Sequence, residues 1–179
     1  MFDYIIRGAN IIDGSGGPAY TADLAIDGGR IASVGALDGA GAARVIEARG
    51  RCLTPGFIDI HRHADAALFR PGWGRAELAQ GLTTIINGNC GLSLAPVSPA
   101  HKAEILGYMS PITGRVPSHI ETATMDGYLE QVGRQPLPIN VGMLVGGGTV
   151  RADCCGYAPG DADEALPELH RRLEHALCQ

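Results

Sequence analysis

Two histidines, His61 and His63, stand two residues apart at the end of an apolar run, Phe57 to Ile60. Pro55-Gly56 opens that run, so it reads as a short buried strand. Alternate side chains of a strand point the same way. Asp59, His61 and His63 therefore share one face, and Ile58 and Ile60 take the other. Two imidazoles about 6–7 Å apart along a strand can grip one metal ion, and zinc accepts imidazole nitrogen readily. Taken alone, such a pair is equally compatible with two polar residues at a strand end. Cys90 adds a third group. It follows a second apolar run, 82–87, inside the glycine-flanked turn Gly88-Asn89-Cys90-Gly91. If the two strands are neighbours, a thiolate and two imidazoles meet at one rim, a set that suits zinc. The competing reading of Cys90 is a buried structural cysteine, a common fate for that residue.

The elements around these groups follow from local pattern. Residues 1–54 read as a small β unit, with strands near 4–7, 11–12, 23–26, 30–34, 45–48 and 52–54. Asp27-Gly28-Gly29 marks a hairpin turn. These strands are short, and their sheet needs a partner layer to bury an apolar face. From Pro55 the pattern becomes strand, loop, helix, strand. A short helix is predicted over 75–80 and a β-branched, buried strand over 82–87. Within the proline-punctuated stretch 92–138, 100–109 and 124–133 are predicted helical. A third buried strand is predicted over 139–145, ending in a turn at Gly146-Gly147-Gly148-Thr149. Leu166, Leu169, Leu173 and Leu177 recur at offsets of 3, 7 and 11 residues, an amphipathic helix whose start Pro167 blurs. Three strands alternating with helices imply a parallel sheet covered by its crossovers. Polar or glycine-rich chemistry lies at the C-terminal end of each strand, where a (β/α) barrel or an open α/β sheet places its site.

Composition excludes several classes. The chain has 179 residues, 45% hydrophobic and 18% charged, enough for a globular core. Its net charge of −5 gives no basic footprint for nucleic acid. No run of 18 apolar residues marks a membrane span, and no basic segment leading into an apolar stretch marks a secretory signal. The five cysteines, an odd number without a secretory signal, point to free thiols in a reducing, cytoplasmic compartment. Cys154-Cys155 are read as structural residues in a loop, and Cys52 and Cys178 are given no role. His101, His119, His170 and His175 are read as solvated.

Residues 55–65, PGFIDIHRHAD, resemble the signature of the amidohydrolase superfamily. Residues 81–91, GLTTIINGNCG, narrow the resemblance to its D-aminoacylase (N-acyl-D-amino-acid deacylase) branch, and 1–14 with 23–34 resemble the start of the β-sandwich that accompanies that family's barrel. The likeness covers nearly the whole chain, least clearly across 97–124. It implies an α/β fold: a β-sandwich portion over 1–54, then the first three β/α units of an incomplete (β/α)8 metal-dependent hydrolase barrel over 55–179. It implies metal ligands at His61, His63 and Cys90, one or two zinc ions, and attack of an activated water on the amide of an N-acyl-D-amino acid. Asp59 and Asp65 are candidates for orienting the histidines by hydrogen bonds; a strand-end loop cap competes for Asp65. The family's histidine in the turn after the third strand is Gly147 here, which bears on substrate preference or site polarity and not on the metal set. The family's general base is expected beyond Gln179, so no catalytic residue is assigned and the 179 residues alone are expected to be inactive. The remainder of the barrel on another chain stays open, as does a truncated chain that binds metal or a partner without catalysis. A cyclic-amide hydrolase of the hydantoinase or dihydroorotase kind shares the H-x-H pair, but the N-C-G turn counts against it. The expected partner is a small N-acyl amino acid, with no nucleic acid and no membrane.

Overall fold

A computed structural model describes residues 1–157 and 162–178, which divide into two units, Met1–Pro55 and Gly56–Gln179. The first unit is a five-stranded sheet built from β1 (Phe2–Ile11), β2 (Tyr20–Asp27), β3 (Arg30–Gly35), β4 (Ala42–Glu47) and β5 (Cys52–Leu53). The path runs β3-β2-β1-β4, with β5 also on β1; β2 is antiparallel to β1 and β3, while β4 and β5 run parallel to β1. The sequence predicts a break at Gly8-Ala9-Asn10, yet β1 runs through it. The register shifts between Ile6 and Ala9, and the Asp23 carboxylate accepts the Gly8 amide at 2.8 Å, so a bulge replaces the break. Few apolar side chains are buried in this unit: Ile5, Leu24 and Ala25, and a small cluster of Ala9, Ile11 and Ala48. Ile12, Tyr20, Ile31 and Val34 stay exposed along an apolar groove of about 310 Å³.

The second unit carries a three-stranded parallel sheet in the order β6 (Phe57–Asp59), β7 (Leu82–Asn87), β8 (Asn140–Met143). The connections hold α1 (Arg75–Ala79), α2 (Lys102–Thr113) and α3 (Met125–Gly133), and α4 (Gly147–Cys155) and α5 (Ala162–Leu177) follow β8. Thr124 caps α3 by accepting the Gly127 amide at 3.1 Å. The core forms where one face of β7 meets the helices: Ile85, Leu94, Val97, Ile105, Met109 and Tyr128 are all fully buried. Among the described residues, no helix is long and apolar enough to cross a membrane.

Three expectations change. The first strand of the parallel sheet is neither buried nor as long as predicted: it stops at Asp59 at the edge of the sheet, and Phe57, Ile58 and Ile60 are 56%, 61% and 71% exposed, outside the core cluster that forms around β7. The glycine turn after β8 is instead the start of α4, which takes in Cys154 and Cys155 as well. Tertiary packing overrides the poor helix propensity of Gly147 and Gly148 there, since Thr149, Val150, Ala152 and Asp153 are all buried. The leucine helix exists as α5, but Leu166 and Leu177 of its stripe are exposed, and its anchor is polar: the Arg172 guanidinium pairs with the buried Asp153 carboxylate of α4.

Candidate metal centre

β6 and β7 are parallel neighbours, so the segments leaving their C-terminal ends emerge side by side. The segment after β6 carries His61 and His63; the turn after β7 carries Cys90. His61 Nε2 lies 3.2 Å from Cys90 Sγ, and the two imidazoles meet edge to face with ring centres 5.6 Å apart. One ligand atom from each of the three residues falls within 4.8 Å of the other two. A tetrahedral zinc site places its nitrogen and sulfur ligands about 3.3–3.6 Å from one another. The His61–Cys90 pair stands near that spacing, and His63 lies close enough for a small adjustment to bring all three onto one ion. His61 and Cys90 are exposed and His63 is half-buried, so the cluster opens to solvent on one side.

Cys90 reaches this position through an unfavourable backbone. Its φ of 56° and ψ of 23° lie in the left-handed region, and among the described residues no other non-glycine residue has a positive φ. The turn is held by contacts that admit no side chains. A Cβ on Gly88 would run into the Leu144 carbonyl oxygen, and one on Gly146 would sit 2.6 Å from the Gly91 oxygen. The Ser93 hydroxyl accepts the Gly146 amide at 2.9 Å, and Ser93's own amide donates to Thr149 Oγ1 at 2.9 Å. The turn carrying Cys90 is thus clamped against the start of α4.

The segment carrying the histidines is fastened by residues to which sequence pattern assigns no role. Asn87, fully buried at the end of β7, accepts the Ala64 amide on Oδ1 at 2.9 Å. Asn89 donates through Nδ2 to the Ile86 carbonyl at 2.8 Å and to the Arg62 carbonyl at 3.4 Å. Arg62 pairs with Glu77 of α1 at 2.6 Å. A polar residue closing a β-branched run, as Asn87 does, is the one signal that could have flagged any of these.

Neither candidate carboxylate reaches an imidazole. Asp59 is half-buried, accepts the His61 backbone amide at 3.1 Å and lies 3.6 Å from Arg62 Nη1. Asp65 is fully buried, and both its oxygens lack a hydrogen-bond partner, as does His63 Nδ1. Burial pushes the Asp65 carboxyl up to about 6, because the charged form loses its hydration; the Asp65 and Leu94 amides, near the carboxylate but outside hydrogen-bonding geometry, offset only part of this. The Tyr128 hydroxyl donates to the Asp65 backbone carbonyl at 3.0 Å, and burial, reinforced by the nearby Asp65 charge, holds that phenol well above its ordinary range. Of the remaining histidines, His119, His170 and His175 are exposed, and His101 is half-buried with Nδ1 3.8 Å from Glu104. All five cysteines are free thiols.

Comparison with known proteins adds an independent line. Residues 44–148 match the amidohydrolase family. The chain is 42% identical over 178 residues to an N-acyl-D-aspartate deacylase of Alcaligenes xylosoxydans xylosoxydans, an alignment covering 98% of this chain and 34% of that protein. A D-aminoacylase of the same organism is 35% identical over 151 residues, covering 84% of this chain and 30% of the relative. The crystal structure of an N-acyl-D-glutamate deacylase from Bordetella bronchiseptica, complexed with zinc and a phosphonate inhibitor, superposes with a TM-score of 0.77 at 32% identity over 98% of this chain and 36% of its own. The chain spans about a third of the length of these relatives.

Proposed function

The chain belongs to the amidohydrolase family, and from that premise we propose that it contributes the first metal ligands of an enzyme that hydrolyses the amide bond of N-acyl-D-amino acids. The observation that carries the reading is the convergence of His61, His63 and Cys90 within 4.8 Å at the C-terminal ends of two parallel strands. A thiol and two imidazoles make a donor set that selects zinc over the hard, oxygen-seeking cations. When bound, one or two zinc ions would supply a Lewis acid that polarises the amide carbonyl and acidifies water to a pKa of about 7.

The chain's own residues divide the remaining work. Cys90 must give up its proton to ligate, so metal uptake releases a proton and tightens as pH rises. The chain spans about a third of its relatives' length, so further ligands and the substrate contacts are expected from the rest of the enzyme. Asp59 supports His61 through its backbone amide, and Asp65 stands beneath the segment, tied through its carbonyl to Tyr128 of α3. In architecture, residues 1–54 form a portion of a β-sandwich and 55–179 the first three β/α units of a (β/α)8 barrel. The apolar groove on the five-stranded sheet and the parallel order β6-β7-β8 support that division. The substrate proposed at the cluster is a small N-acyl amino acid, the class named for the relatives.

Two measurements test the proposal. Zinc content after equilibrium dialysis should fall in Cys90→Ser, because a hydroxyl replaces a soft thiolate; equal content in both chains would remove Cys90 from the site. In the complete enzyme to which this chain contributes, free D-amino acid should be released from N-acetyl-D-amino acids and not from the L-enantiomers. Turnover that survives Cys90→Ser undiminished would refute the role given to this cluster.

A further inference from the structure

We propose that Arg62, the residue between the two histidines, is the positioning residue of this segment, and that its pairing with Glu77 sets how tightly the cluster holds a divalent metal; the proposal rests on the metal reading of His61, His63 and Cys90. Arg62 lies past the end of β6, where no regular pleat dictates the direction of neighbouring side chains, so what anchors Arg62 also places His61 and His63. Its side chain is anchored at two points. Its Nη2 lies 2.6 Å from Glu77 Oε1, and its Nη1 lies 3.6 Å from Asp59 Oδ2. Glu77 stands on α1 with its side chain only 9% exposed, so its carboxylate cannot follow a moving arginine without leaving a buried charge unpaired.

The backbone of Arg62 is held with equal economy. Its amide donates to the Ile86 carbonyl at 3.0 Å. Its carbonyl accepts from Asn89 Nδ2 at 3.4 Å, and the same nitrogen donates to Ile86 at 2.8 Å. Asn89 immediately precedes Cys90. One residue thus joins the histidine segment, the end of β7, the cysteine turn and α1.

Charge alone would not place an arginine here. A guanidinium beside a cluster that takes a divalent cation opposes binding, and Glu77 and Asp59 neutralise it. Removing Arg62 should strengthen zinc binding if only charge mattered, and weaken it if geometry dominates. The two accounts differ in sign.

The experiment measures zinc affinity of the full chain by competition with a chromophoric chelator, and the cobalt(II) spectrum, in which Cys90 thiolate gives a charge-transfer band. Arg62→Ala should weaken zinc by about tenfold or more, the range seen when partners that orient metal ligands are lost, and should shift the cobalt bands. Glu77→Gln should weaken zinc as well. Arg62→Lys, which keeps the charge and one bond to Glu77, should recover part of the affinity. Fluorescence of Trp73, the single tryptophan, reports whether each variant folds in chelator; if Arg62→Ala does not, Arg62→Lys and Glu77→Gln decide. Zinc bound as tightly or more tightly by the folded variants, with unshifted cobalt bands, overturns the proposal. A parent chain that binds no zinc, or a Cys90→Ser variant that binds it normally, overturns the metal reading itself and this proposal with it.

Discussion

Replacing Cys90 by glycine should stabilise the metal-free protein while destroying its response to zinc. The left-handed backbone at φ 56° costs an L-residue about 1–2 kcal/mol. Glycine releases that strain but frees the unfolded chain, which returns about 0.4–1 kcal/mol. Cys90 is exposed, so no appreciable apolar burial is lost. The net gain is about 0–1.6 kcal/mol, centred on about 0.8, or a rise of up to about 6 °C in Tm for a chain of this size. Thermal unfolding in chelator, followed through Trp73 in the second unit, measures it. With free zinc at 100 times its Kd, the parent chain gains about 2.7 kcal/mol and the order of stabilities inverts. Cys90→Ala is the control: it loses the thiol, keeps the strain, and should gain nothing in chelator. A Cys90→Gly chain that melts below the parent in chelator would show that the sulfur supports the fold and that the backbone strain is not held for the sake of a ligand. A zinc-induced rise in Tm equal to the parent's would show that the ion, if any, sits elsewhere.

Gly88→Ala should cost about 2–3 kcal/mol, the scale of forced overpacking combined with a positive φ, because its methyl would meet the Leu144 carbonyl; a denaturant midpoint that does not move would refute the close approach. Glu168 is held down to about 2 by its hydrogen bonds to Arg171 and Arg172. Its folded pKa lies below its ordinary 4.5, so its contribution is present above pH 4.5 and fades as pH falls toward 2. Glu168→Gln should flatten the stability profile in that window, and more weakly in high salt; a carboxyl titrating near 4.5 by NMR would show the pairing to be ineffective.

The cluster was legible because it depends on a simple rule of sheet topology. Parallel neighbours end at the same rim, which brings the segments carrying His61, His63 and Cys90 together; the shared strand face expected for the two histidines is not the reason, since β6 stops at Asp59. β7 was read at its true bounds because Gly81 and Gly88 bracket a β-branched run. The partners that fasten the cluster were not legible. Arg62 and Glu77 are 15 residues apart, and their meeting depends on how the connection from β6 lays α1 beside it. The start of α4 misled for a related reason. Gly146, Gly147 and Gly148 look like a turn locally, but the first and last of them serve the approach to Gly91. The exposure of Phe57, Ile58 and Ile60 was hidden because residue type predicts a preference for burial and cannot supply the neighbour that satisfies it.

The glycine contacts between the cysteine turn and the start of α4 restrict how such a protein can be remodelled. Loops at the ends of parallel strands are the usual places to graft new specificity, on the assumption that each can vary alone. Here the loop after β8 lacks that freedom: Gly146 and Gly148 lie against the Gly91 carbonyl, one residue from Cys90. A library randomising 144–148 would mostly sample displaced thiols, and its inactive members would say little about substrate fit. Diversity is better placed at Gly147, around which no atom lies within 4 Å of a would-be Cβ.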